Sequence, residues 1–84
     1  MIINKTMFAD EVRNFCIKYK LYYNGTNAEY EKMLYNAQKA ITDNEIIDVC
    51  RDIYNHSKDW QNEYPFTSFA ALVMQNCVHL FINE

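Results

Sequence analysis

Residues 26–45, "TNAEYEKMLYNAQKAITDNE", carry the same four-residue device twice, with an apolar stripe between the copies. In Thr26-Asn27-Ala28-Glu29, and again in Thr42-Asp43-Asn44-Glu45, a threonine stands three residues before a glutamate. At a helix start, that spacing lets the hydroxyl accept the backbone N–H of the glutamate while the carboxylate reaches back to the N–H of the threonine. Between the two pairs, Tyr30, Met33, Leu34, Ala37 and Ile41 recur at the intervals of one helical face. The stretch therefore reads as a helix over 27–41 and, after almost no linker, the start of another at 43.

Working upstream, "TMFADEVRNFCIKYKLYY" puts Phe8, Val12, Phe15, Tyr19 and Tyr22 on one face at about 100° per residue, which predicts a helix over 6–23. Asn24-Gly25-Thr26 ends it, with Gly25 expected in the left-handed conformation that closes helices. Ile17 and Leu21 lie off that face, one turn apart, suited to a dimer contact or to covering the last helix. Downstream, Ile46, Val49, Cys50, Ile53 and Ser57 point inward and Trp60 continues the line, giving a helix over 43–61. Pro65 suits only a break or a first helical turn. A last helix over 65–82 then places Phe66, Phe69, Ala70, Val73, Cys77, Leu80 and Phe81 on one side. Ala71, Val78 and Ile82 form a second apolar line, to be covered by other helices or by a second copy of the chain. No strand-like alternation or internal repeat occurs. The expected fold is all-α, a compact four-helix domain with short connections over residues 1–84.

Composition narrows the classes. A chain of 84 residues buries only about 60–65% of its unfolded surface, enough for a core and little more. Half the residues are apolar and one is glycine, which argues against disorder and against glycine-rich phosphate cradles. Cys16, Cys50 and Cys77 are widely spaced and odd in number, so reduced thiols and a cytoplasmic location are expected. The opening "MIINKTMFADEV" has no signal-peptide pattern. In a cytoplasmic chain the sequons "NKT", "NGT" and "NHS" are chance products of an Asn-rich composition. Residues 64–83 lack Asp, Glu, Lys and Arg, but Pro65, Thr67, Ser68, Gln75, Asn76 and His79 interrupt them, favouring a packed central helix over a membrane span. Abundant Asn, Ile, Tyr and Lys point to AT-rich codons, as in a low-GC bacterium, its phages or its plasmids.

Motifs for chemistry are sparse. Cys77 and His79 are two residues apart, on different sides of a helix, and no CxxC, HxxxH or HExxH spacing exists, so no metal or cofactor is expected. His56, Ser57 and Asp59 splay in different directions on a helix, and no oxyanion site is visible, so the chain is not expected to be an enzyme. Residues 31–54 loosely resemble a helix-turn-helix. The would-be recognition helix, however, carries Asp43, Glu45, Asp48 and Asp52 against Arg51 alone, and phosphate would repel it.

Charge is the most informative feature. Residues 1–42 hold six basic and four acidic side chains, whereas residues 43–84 hold two basic and seven acidic ones. On one continuous helix, Glu45, Asp48, Asp52 and Asp59 fall within about 60° of one another, and Glu63 joins them if the helix persists. Spaced carboxylates of this kind solubilise any amphipathic helix. They also imitate a nucleic-acid backbone, or dock in a basic groove. Trp60 and Tyr64 beside them are common interface anchors. In size, acidity and composition the chain resembles phage-encoded inhibitors of bacterial defence, anti-CRISPR proteins among them. That likeness implies a non-enzymatic module that binds a basic-grooved, nucleic-acid-handling protein without contacting nucleic acid itself. A small dimeric helix-turn-helix regulator is the alternative.

Overall fold

Both threonine–glutamate pairs close as capping boxes in the computed structural model, which describes residues 5–22, 25–40 and 42–77. Thr26 accepts the Glu29 N–H at 3.1 Å and Glu29 accepts the Thr26 N–H at 2.9 Å. The same pair of bonds joins Thr42 and Glu45 at 3.2 and 3.0 Å. The helices they open are α2 (Asn27–Lys39) and α3 (Asp43–Asn55), preceded by α1 (Lys5–Tyr19) and followed by α4 (Lys58–Glu63) and α5 (Phe66–Asn76). The described residues contain no strand, and the fold is all-α.

Four of the helices close a ring: α1 packs on α2, α2 on α3, α3 on α5 and α5 back on α1. The six-residue α4 forms a corner against α3. Inside the ring lie Phe8, Val12 and Phe15 of α1, Met33, Leu34 and Ala37 of α2, Ile46, Val49, Cys50 and Ile53 of α3, and Phe69 and Val73 of α5. Each fully buried Phe or Ile contributes about 1.5–3 kcal/mol by leaving water. Desolvation in this core pushes the thiols of Cys16 and Cys50 up to about 12 and that of Cys77 up to about 11. All three are free and buried, and the raised values keep them as unreactive thiols.

Besides α5, which stops at Asn76 rather than 82 with Cys77 as its C-cap, two element ends differ from the sequence expectation by more than two residues. α1 stops at Tyr19 rather than 23, because Lys20 takes the left-handed conformation (φ 54°). The Leu21 N–H then bonds the Cys16 carbonyl at 2.8 Å and the Lys20 N–H bonds the Ile17 carbonyl at 3.3 Å. This is a Schellman closure, with Leu21 buried behind it. Gly25 is not left-handed, so its role is not the one expected of it. The off-face pair divides: Leu21 is buried, while Ile17 is 67% exposed.

The second difference is a break in the expected 43–61 helix at His56 and Ser57. The Ser57 hydroxyl donates to the Ile53 carbonyl at 2.6 Å and accepts the Tyr22 N–H at 3.0 Å, which ties it into the turn. The Gln61 side-chain amide donates to the Tyr54 carbonyl at 2.6 Å, and the Tyr54 hydroxyl donates to the Tyr64 carbonyl at 2.6 Å. Of the carbonyls that a continuing helix would have used, Ile53's is thereby satisfied by Ser57 and Tyr54's from α4. Pro65 caps α5 in an extended conformation, as a residue just ahead of a helix. The central element is α3, which touches α2, α4 and α5. α5, expected to be central, leaves Thr67, Ser68, Ala71 and Gln75 exposed. No helix among the described residues is long and apolar enough to cross a membrane.

Candidate functional site

The residues proposed from sequence as a partner surface fall into three places. Glu45, Asp48 and Asp52 line a groove of about 250 Å³ between α2 and α3, together with Asn36, Lys39 and Val49. Glu45 and Asp48 are exposed, and Ile47, on another side of α3, is 42% exposed. Asp59 and Glu63 are exposed on α4, where the break at His56–Ser57 removes the single helical phase that would align them with Glu45. Trp60 is half-buried: its ring meets Tyr19 edge-on at 5.6 Å and Phe69 at 5.7 Å, so most of the indole serves the core. Tyr64 tilts against Trp60 at 5.3 Å and remains 45% exposed. Of the residues proposed for a dimer contact, Ala71 is exposed and lines a groove with Tyr64, Ser68, Phe69, Leu72 and Gln75. Val78 and Ile82 lie outside the described residues.

Two cations, one at the end of α2 and one on α3, lie against aromatic rings. The Arg51 guanidinium lies 4.1 Å from the centre of Phe66, and the Lys39 ammonium 4.9 Å from that of Tyr35. Contacts of this kind contribute about 0.5–1 kcal/mol at exposed sites.

A second cluster went unrecognised in the sequence. The α1–α2 linker delivers Tyr22 in the left-handed region (φ 65°), and its ring stacks on His56 at 4.4 Å and 16°. The Tyr22 hydroxyl donates to Asp52 Oδ1 at 2.8 Å, while its N–H donates to Ser57 Oγ. Burial, then the bond to and charge of Asp52, push the phenol well above its ordinary range, so it stays a donor. Gly25 supplies the space: a Cβ there would lie 2.4 Å from Tyr22 Cε1 and 3.1 Å from His56 Cδ2.

His56 is surrounded by acceptors. Nδ1 is 2.9 Å from the Asp52 carbonyl and 3.1 Å from Asp52 Oδ1, and Nε2 is 3.2 Å from Glu29 Oε2. Burial alone would lower its proton affinity, but the Asp52 carbonyl, the Glu29 carboxylate and the two negative charges outweigh that and raise it. Glu29 thus has two tasks: Oε1 caps α2, and Oε2 faces the imidazole. The Thr26 N–H, the Thr26 hydroxyl and then His56 hold its carboxyl below the usual range.

Two sequence signals pointed toward this cluster. Asp52 and His56 stand four apart, the spacing of a helical pair, and Ser57 occupies a core position, where a hydroxyl requires a partner. His56, Ser57 and Asp59 are not assembled as a relay, since Ser57 is turned inward to Tyr22 and Ile53. No group of three Cys, His, Asp or Glu side chains among the described residues is placed to hold a metal ion. No protein-family model, curated protein or solved structure matches the chain, so a functional reading rests on the geometry itself.

Proposed function

We propose that this protein is a non-enzymatic binding module that docks on a basic partner through the exposed carboxylates of α3 and α4. The observation that carries the reading is the α2–α3 groove, where exposed Glu45 and Asp48 stand with Asp52, while Arg51 lies against the ring of Phe66 and Lys39 against that of Tyr35. A row of exposed carboxylates fits a groove lined by Lys and Arg, where complementary charge speeds encounter and rejects wrong partners. Asp59, Glu63 and Tyr64 provide a second acidic and aromatic patch on α4. Grooves of that charge belong to proteins that handle nucleic acid. The small acidic chain and its AT-rich composition suit a phage or mobile-element inhibitor acting in the cytoplasm, of the anti-CRISPR kind. A DNA-binding helix-turn-helix regulator is the weaker reading, because α3 would bring carboxylates rather than cations to the phosphates.

The structure selects the residues for the test. Asp52 is held by Tyr22 and His56, and Glu45 caps α3, so altering either perturbs the fold. Asp48→Lys, Asp59→Lys and Glu63→Lys combined leave those bonds in place. Affinity capture from host lysate, compared by mass spectrometry between this triple variant and wild type, should show loss of a basic partner whose association with wild type slows as salt rises. Undiminished capture by a variant with intact helical circular dichroism refutes the acidic docking face.

A further inference from the structure

We infer that His56 is a proton-operated clamp: doubly protonated, it ties the start of α2, the end of α3 and the α1–α2 linker together, and on losing a proton it loosens all three. The argument is one of donors and acceptors. A neutral imidazole has one N–H, so one of its nitrogens presents a lone pair. Both nitrogens of His56 face oxygen: Glu29 Oε2 at 3.2 Å on one side, and the Asp52 carbonyl and Oδ1 at 2.9 and 3.1 Å on the other. Either neutral tautomer therefore sets a lone pair against an oxygen, and only the imidazolium satisfies both sides at once.

The groups that face the ring come from three elements. Glu29 and Lys32 belong to α2, Asp52 to α3, and Tyr22 to the linker, and all four line one groove with His56 and Asn36. Two carboxylates oppose one lysine in that groove, so the local field favours the cation. The Tyr22 ring, stacked on the imidazole, is attracted more strongly to the charged form. What the clamp holds is under tension: Tyr22 has a positive φ that a bulky side chain rarely adopts, and it is kept there by bonds to Ser57 and Asp52. Deprotonation removes the Glu29 or the Asp52 bond and the cationic stack together. The seat of Tyr22 weakens, and with it the closure between linker, α2 and α3.

The sign follows from linkage. A histidine whose proton affinity is raised by folding contributes stability that is fully present below its unfolded value of about 6.5 and is lost as pH rises through the raised folded value. The test uses the full chain with His79→Gln, so that His56 is its only imidazole. Proton-detected NMR titration of His56 should give a midpoint above the ordinary histidine value. Urea unfolding should show stability falling as pH rises across that midpoint. Glu29→Gln keeps an oxygen to cap α2 but removes the charge at Nε2, so it should lower the midpoint while the fold persists. His56→Gln should flatten the alkaline fall. A wild-type midpoint at or below the ordinary value, or a midpoint unmoved by Glu29→Gln, overturns the clamp. The Glu29→Gln titration decides the matter even if His56→Gln fails to fold.

Discussion

Gly25→Ala probes the Tyr22 seat more directly than any change to Tyr22 itself. The added methyl would stand 2.4 and 2.6 Å from two carbons of the Tyr22 ring and 3.1 Å from His56 Cδ2. Ordinary carbon contacts begin near about 3.5 Å, so the ring must retreat by about 1 Å. It has no free direction, because the hydroxyl is bonded to Asp52 at 2.8 Å, the face is stacked on His56 and the backbone N–H is held by Ser57. Overpacking of this kind costs about 1–3 kcal/mol, and losing the bond to Asp52 costs about 1.5–3 kcal/mol more if it breaks. Reduced freedom of the unfolded chain offsets about 0.4–1 kcal/mol. Gly25 has no positive φ, so backbone strain adds nothing. The net expectation is a loss of about 2–4 kcal/mol, a large share of the stability of a domain this size. At about 4–8 °C per kcal/mol, thermal unfolding followed by circular dichroism should show a Tm lowered by roughly 8–32 °C. In a Tyr22→Ala background the same change should cost less than about 0.5 kcal/mol, because neighbouring substitutions couple. A full penalty that survives removal of the ring refutes the reasoning.

Three further outcomes are expected. Ser57→Ala strands the buried Tyr22 N–H and should cost about 1–3 kcal/mol by urea unfolding. Lys20→Gly should stabilise by about 1 kcal/mol in the same assay, since glycine occupies the left-handed helix terminus without strain. On the acid side, Glu29 has a lowered folded value, so its contribution is present above the ordinary carboxylate range and is lost as pH falls through that lowered value. Thermal melts below about pH 5 should therefore show a steeper acid loss for wild type than for Glu29→Gln.

Local chemistry made the helices legible. The two capping boxes span four residues each, so the sequence alone specifies where α2 and α3 begin. The inward positions Ile46, Val49, Cys50, Ile53 and Ser57 follow from helical period and are all buried. The period also extended too far, because a 100° repeat continues on paper through any residue that does not break it. It carried α1 to residue 23 and α3 to residue 61, whereas Lys20 and Ser57 turn the chain.

What tertiary structure decided is the partner of each polar group. Tyr22 and Ser57 are 35 positions apart, and Glu29 and His56 are 27 apart. No local pattern encodes such pairs, because they exist only once the helix ring brings the linker beneath the end of α3. The same closure reassigned Asp52 from an open acidic face to a half-buried acceptor for Tyr22 and His56, and most of Trp60 from anchor to core. The sequence determined where α2 and α3 begin, which residues are apolar and where negative charge collects. The fold determined which of those charges are committed inside the molecule, because a carboxylate's role depends on the donors within about 3 Å of it, and those donors come from distant parts of the chain.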